Sequence, residues 1–407
     1  MKWSIITLMF VASLVGNLFD IYVNGFPIRQ LTFLFLVISI FCKIIKSPKL
    51  DCLSSLLAMF VVAVLGMLYS LVLGTHPTDY LGELMPYIFP VLSYSVYRYI
   101  SKRDLNSVFS VSSYFLFLFS LVHVIYLVLY FLNSGASDVY YSMVKFYFDS
   151  AKDLEALPDL RSYYFVPRLQ VGMSILIFFS LYLKIDMDIL KYSRVRFSLS
   201  FVVIILALLI MQSRAIFFSV FAFFILAKLF EYLYCNVRNK PLLASILIFL
   251  SLIIPQVLTA IVISFDFVTY FGLTRDNIGD SERLTQIKSF AEALNYNPIF
   301  GTGLGSPSSY LRSPDSPWLY ELGILSLVYK LGFFGITSLL FFLLFFSFFV
   351  KPINSNFDFK RSAYNVSFLF CFLFASNTNP YLQNFAGGLI LMLTLINMMD
   401  INNVKRK

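Results

Sequence analysis

The apolar runs of this chain limit its fold more than any other feature. Stretches of about twenty residues recur with almost no charge, long enough to cross a bilayer as helices that rise about 1.5 Å per residue. Transmembrane strands would instead alternate apolar and polar residues over about ten positions. Of the 407 residues, 59% are hydrophobic and 13% charged, whereas soluble domains carry roughly 25% charged residues. A soluble domain is therefore excluded, and the expectation is an all-α polytopic membrane protein, one transmembrane domain over 1–407. The start, Met1-Lys2-Trp3 followed by apolar residues, reads as a signal anchor and not as a cleaved peptide.

About twelve spans are expected, near 3–19, 30–42, 53–73, 84–97, 107–132, 169–183, 197–212, 215–233, 242–265, 319–349, 363–376 and 382–399. The run from Leu319 exceeds one upright helix, so it tilts or begins along the interface. Basic residues retained on the cytoplasmic side set the orientation. Placing both termini in the cytoplasm puts Lys43, Lys46 and Lys49 inside, with Arg98, Lys102 and Arg103, and with Lys184, Lys191, Arg194 and Arg196. The acidic residues then gather outside. The net charge of +9 is thus a topology signal, and a nucleic-acid partner is not expected. Cys42, Cys52, Cys235 and Cys371 are scattered without metal-like or disulfide spacing.

Two outer loops are long, 133–168 and 266–318, the second lying between spans nine and ten. Long loops carry function more often than short ones. The first holds Asp138, Asp149, Asp153, Glu155 and Asp159 near Tyr140, Tyr141, Tyr163 and Tyr164, which reads as a solvated acidic loop or an acceptor-glycan surface. In the second, Leu284, Ile287, Phe290, Ala291 and Leu294 recur at helical spacing. An amphipathic helix is expected there, capped by Asp280 or Ser281 and ended by Asn297-Pro298. The run Gly301-Thr-Gly303-Leu-Gly305 resembles a phosphate-binding turn but lacks the strand and helix of a βαβ unit. A tight loop against the bundle is the expectation.

Four segments in order carry a family resemblance: Ser281-Glu-Arg283, Asn297-Pro-Ile-Phe-Gly-Thr-Gly303, Asp315-Ser-Pro-Trp-Leu-Tyr-Glu-Leu-Gly323 and Leu331-Gly-Phe-Phe-Gly335. Gln212-Ser-Arg-Ala215 and Asn377-Thr-Asn-Pro-Tyr381 add to them. Together they resemble the O-antigen ligase and polymerase superfamily, most closely its Wzy-type polymerases, over roughly residues 160–400. The resemblance implies a GT-C-like fold and a cofactor-free, metal-independent glycosyltransferase of the bacterial inner membrane, facing the periplasm. Its substrate would be an undecaprenyl-diphosphate-linked oligosaccharide. A chain-length regulator and a flippase of the same O-antigen or capsule pathway are implied partners besides the bilayer. The ligase branch carries a His where the loop re-enters the membrane; this chain has Asp315-Ser316 there, which favours the polymerase branch. A ligase or a lipid-linked oligosaccharide flippase remain the alternatives.

A diphosphate leaving group needs cations, for which the planar, permanently charged guanidinium is suited. Arg168, Arg214, Arg275 and Arg283 are the candidates, and Arg214, between two apolar spans, is the most informative. Asp315 and Glu321 are candidate bases; Tyr310, Trp318 and Tyr320 are candidate sugar-stacking rings. Lys330 lies inside an apolar run, where an ionisable group is functional or paired, and Glu321 is a candidate partner for it.

Overall fold

The computed structural model describes residues 8–13, 22–23, 26–49, 60, 64–132, 162–163, 166–167, 175–192, 198–210, 214–237, 243, 246–247, 250, 254, 278–311, 320, 322–323, 325–333, 337, 359–376, 381 and 383–400. Among these the architecture is all-α, apart from two ladders of two residues per strand. The ladders are antiparallel. In β1 (Tyr22–Val23) and β2 (Phe26–Pro27), Tyr22 pairs with Pro27 and Val23 with Phe26; in β3 (Ser162–Tyr163) and β4 (Val166–Pro167), Ser162 pairs with Pro167 and Tyr163 with Val166. Neither was expected. The Asn24-Gly25 dipeptide between β1 and β2 is a hairpin signal, masked by the apolar residues around it.

The chain divides into two compact units. The first comprises Met1–Leu53 and Tyr94–Val220. It contains α1 (Ile28–Lys46), the end of α3 (Pro77–Tyr99), α4 (Lys102–Phe131), α5 (Ile175–Tyr192), α6 (Leu199–Ile210) and the start of α7 (Arg214–Asn236). Helices α4, α5 and α6 pack on one another. Helix α5 has Ile175 through Leu183 all buried. Helix α6 buries Phe201, Val203, Ile204, Ala207, Leu208 and Ile210 and leaves Leu199, Val202, Leu206 and Leu209 exposed. Ser101 caps α4, its Oγ accepting the Asp104 N–H at 3.1 Å, which satisfies one orphan donor of the first turn. Beyond the basic end of α1, Lys49 donates to the Arg98 carbonyl at 3.0 Å and lies 4.8 Å from the Tyr99 ring centre. The Tyr99 hydroxyl in turn donates to the Ser47 carbonyl at 2.9 Å.

The second unit comprises Ser54–Ser93 and Phe221–Lys407. Helix α2 spans 64–72 and ends at Gly74, which has φ 84°. The Thr75 N–H reaches back to the Ser70 carbonyl at 2.9 Å and the Gly74 N–H to Leu71 at 3.0 Å. This is a Schellman ending, which glycine favours because it alone enters the left-handed region without penalty. Pro77 then opens α3, where its missing N–H costs nothing. This unit also holds α8 (Ile278–Tyr296), α9 over 325–333, α10 (Phe359–Ala375) and α11 (Phe385–Asp400). Helices α10 and α11 pack together, with buried Arg361 bonded to Asn397, and Asn397 bonded to Asn365 at 3.3 Å. Phe223 of α7 meets Tyr364 edge-on at 5.7 Å.

Two described helices, Arg103–Ile125 and Ala215–Asn236, are long and apolar enough to cross a membrane, and Leu199–Ile210 and Phe385–Met399 are shorter apolar helices. One expectation needs correction. Helix α8 begins at Ile278, so Asp280 and Ser281 lie in its first turn and do not cap it. Gly332, in the last described turn of α9, has φ 61°, and the Phe333 N–H bonds the Pro298 carbonyl at 2.9 Å; most of the run 319–349 lies outside the described residues.

Candidate functional site

A fully buried ion pair anchors the segment that follows α8. Glu83 stands one and a half turns into α3, in the apolar context Tyr80-Leu-Gly-Glu83-Leu-Met. Lys330 stands in α9. Both side chains are 0% exposed, and the Lys330 ammonium donates to Glu83 Oε1. The second carboxylate oxygen, Oε2, accepts the Gly305 N–H at 2.5 Å. The ammonium also lies 5.2 Å from the centre of the Tyr320 ring, a cation–π distance. Desolvation opposes both charges, and only a close opposite charge with further hydrogen bonds offsets it. Here both carboxylate oxygens are bonded and the ammonium has a carboxylate and a ring. The structure thus gives Lys330 a partner in Glu83; Glu321, the candidate read from sequence, lies outside the described residues.

The glycine run folds onto this pair. Gly301, Gly303 and Gly305 have φ of 69°, 85° and 81°. A Cβ on Gly301 would meet the Lys330 backbone at 2.5 Å, and one on Gly305 would meet the Tyr80 nitrogen at 2.5 Å. The loop N–H groups are already used: Gly301 donates to Asn297 O (3.0 Å), Thr302 to Tyr329 O (3.2 Å) and Gly303 to Lys330 O (2.9 Å). With Gly305 bonded to Glu83, these four donors are turned inward. An anion nest needs such donors turned toward a ligand, so the run is a tight loop on α3 and α9 and not a phosphate cradle. Tyr69 of α2 closes its near side. The Tyr69 hydroxyl donates to the Gly301 carbonyl at 2.9 Å and accepts the Asn297 amide at 2.7 Å.

Helix α8 lies over the same cluster. Phe290 stacks on Tyr329 at 4.9 Å and meets Tyr320 edge-on at 5.0 Å, with Leu322 completing the buried set. Its buried face is Gln286, Ser289 and Phe290, whereas Ala291 is exposed. Of the apolar stripe read from sequence, Phe290 and Ile287 pack on this cluster and Ala291 does not, while Ser289 finds polar partners inside. Its hydroxyl donates to the Gln286 carbonyl at 2.8 Å and lies 3.2 Å from Ser308 Oγ.

The segment that carries Asp315 leaves and returns at one point. The Ser308 N–H donates to the Tyr320 hydroxyl at 2.5 Å, and the Tyr329 hydroxyl donates to the Pro307 carbonyl at 2.8 Å. On the return side, the Tyr320 N–H donates to Gln383 Oε1 at 3.0 Å, and Gln383 Nε2 donates to Ser326 Oγ. The Gly323 N–H reaches the Ser376 carbonyl at 3.2 Å. Residues 308 and 320 are thus held together in a buried core, and the connection over 309–319 is closed at its base.

Of the candidate residues, Tyr310 is half-buried beside Ser308, whose hydroxyl donates to the Tyr310 carbonyl at 2.8 Å. Tyr320 is fully buried, with its ring against Phe290 and Lys330, so it serves as core here and offers no open stacking face. Arg283 is half-buried on α8. Arg214 opens α7 within the first unit, and its side chain lies outside the described residues. Arg168, Arg275, Asp315, Trp318 and Glu321 also lie outside them, as does most of the loop 133–168. Among the described residues, no group of three or more His, Cys, Asp and Glu side chains could hold a metal ion.

Glu83, Tyr69 and Gln383 were not singled out in the sequence. For Glu83 a signal was present: it and Lys330 are opposite charges, each in an apolar stretch, and such charges pair. Compared with family models, with curated proteins and with solved structures, the chain finds no match.

Proposed function

We propose that this chain is a Wzy-type polysaccharide polymerase, a metal-independent glycosyltransferase. It moves a growing glycan from undecaprenyl diphosphate onto a new lipid-linked repeat unit. In this reading the chain is a multi-pass protein of the bacterial inner membrane with about twelve spans, both termini cytoplasmic and its site facing the periplasm. The observation that carries the reading is the closure of the Asp315 segment at Ser308 and Tyr320 above a buried ion pair. Reactive groups on loops work when a rigid scaffold fixes the loop base. Tyr320 and Gly323 of this base belong to the segments that carry the family resemblance, and Asn297–Gly303, another of them, packs on Lys330 beside it.

The chemistry assigns roles as follows. Asp315 or Glu321 takes the proton from the acceptor hydroxyl. The acceptor oxygen then bonds to the anomeric carbon as the bond from that carbon to the diphosphate oxygen breaks. The lipid diphosphate leaves with both bonding electrons, and Arg168, Arg214, Arg275 and Arg283 are the candidate cations for its charge. Tyr310 and Trp318 are the candidate sugar contacts that remain at the loop. The Asp315-Ser316 pair at the place of the ligase His favours polymerisation over transfer to lipid A core.

The test uses purified full-length protein with a short lipid-linked repeat unit and no nucleotide. A ladder of products that differ by one repeat supports the reading. Transbilayer movement of the lipid without a ladder assigns a flippase instead and overturns it.

A further inference from the structure

The turn that follows α8 holds apolar side chains in the open. Tyr296 is 91% exposed and Phe333 73% exposed, with Ile299 and Phe300 exposed between them. The four are neighbours: the Phe333 N–H bonds the Pro298 carbonyl at 2.9 Å, and a Cβ on Gly332 would meet the Ile299 carbonyl oxygen at 2.5 Å. The turn is also fixed in place. Tyr69 binds both Asn297 and the Gly301 carbonyl, and its ring stands 6.3 Å from Phe300. A rigid turn that presents Tyr, Ile and two Phe outward is an interaction surface, since contiguous exposed apolar patches are seldom left without a partner.

The stripe continues onto α2. Leu65, Leu68, Val72 and Leu73 are exposed, and Gly303 is close enough that its Cβ would lie 3.5 Å from Leu73 Cδ1. The stripe on α2 belongs to the charge-free apolar run 53–73, so its natural cover is acyl chain. An aliphatic stripe that ends in Phe and an exposed Tyr matches the gradient from hydrocarbon to headgroup. On α8 itself, Lys288 and Glu292 are exposed before the turn is reached, so polar and apolar surfaces separate along one element.

We infer that the 296–300 turn with Phe333 is a membrane anchor, seated among acyl chains beside the headgroups, and that the bilayer is the occupant of this patch. The second outer loop then does not stay wholly in water: its helix α8 returns the chain to the membrane surface before the Asp315 segment begins. The inference stands apart from the polymerase reading, and either can fail alone.

Tryptophan fluorescence tests it. The chain has two Trp, and Trp3→Phe with Trp318→Phe gives a dark background in the full-length protein. Phe300→Trp, Phe333→Trp and, as a polar-face control, Lys288→Trp are each reconstituted in phosphatidylcholine–phosphatidylglycerol vesicles. The acyl chains carry bromine about 5–10 Å below the headgroup boundary, the depth reached by interfacial segments. The expected result is loss of emission at 300 and 333 in brominated vesicles relative to plain ones, with little loss to aqueous iodide, and the reverse at 288. Ile299→Trp reports the same turn if Phe300→Trp does not fold. Iodide quenching without bromine quenching at 299 or 300 and at 333 overturns the inference. So does shielding from both quenchers that grows with the protein-to-lipid ratio, which would assign the patch to a second copy of the chain.

Discussion

Glu83→Gln removes one charge from a pair with no exposure to solvent. The glutamine amide has one acceptor and one donor end. Turned one way, it keeps the bond from the Gly305 N–H but sets its NH₂ against the Lys330 ammonium. Turned the other way, it serves Lys330 and abandons Gly305. Either way a buried donor is unmet and a charge is uncompensated. Two unit charges about 4 Å apart at an effective dielectric near 20 attract by about 4 kcal/mol. Removal of one member of a buried pair costs about 3–5 kcal/mol by the same physics. Lys330→Met should cost a similar amount, because it leaves the Glu83 carboxylate with one hydrogen bond from Gly305. The double variant removes the mismatch and should cost well under the sum, with a coupling of about 0.5–3 kcal/mol. Unfolding in mixed micelles, followed by circular dichroism over a denaturing-detergent titration, gives the four free energies of the cycle. If both single variants unfold within about 1 kcal/mol of the parent and the double variant is additive, the pair is not the anchor described here and the reasoning is refuted.

Three further outcomes follow from the same cluster and from the proposed reaction. Gly305→Ala puts a methyl on the Tyr80 backbone at a φ of 81° and should cost more than about 1 kcal/mol, whereas Ala at Gly74, with nothing within 4 Å, should meet only the left-handed penalty; the two unfolding midpoints compare them. Tyr69→Phe removes the hydroxyl shared by Asn297 and Gly301 and should cost about 1–3 kcal/mol, with faster amide exchange at 301–303 as the direct readout. Arg214→Ala should abolish long chains at normal expression, read as the length distribution of surface polysaccharide; parental chain length in that variant would remove Arg214 from the site.

Helix positions were legible where one physical signal dominated. The apolar runs near 30–42, 107–132, 197–212, 215–233, 363–376 and 382–399 all contain described helices, because uninterrupted apolar length is enough to specify a helix in hydrocarbon. The end of α8 at Tyr296 was legible from Asn297-Pro298, since proline disfavours helical geometry in the residue before it. The start of α8 was not, because several polar residues in a row offer equivalent caps. The role of Gly301, Gly303 and Gly305 was legible in kind, as a tight loop, but its docking surface on Tyr80 and Lys330 was not. That surface joins residues more than two hundred positions apart, and local pattern carries no such information. Glu83 is the instructive omission. The charges of the long loops stand out in the sequence, yet the charge that holds the glycine loop is buried in a helix. The legible signal was that Glu83 and Lys330 are opposite charges set in apolar stretches, where such charges pair.

The central claim, glycan transfer from a lipid diphosphate, is tested most directly by following the leaving group. Purified protein in vesicles receives repeat units whose lipid diphosphate and sugar carry different labels, and free undecaprenyl diphosphate is measured beside new glycosidic linkages. The account predicts one lipid diphosphate released for each linkage formed, with the product retained on the lipid of the acceptor. Labelled sugar that reaches the opposite leaflet with its diphosphate linkage intact, and with no diphosphate released, would contradict it.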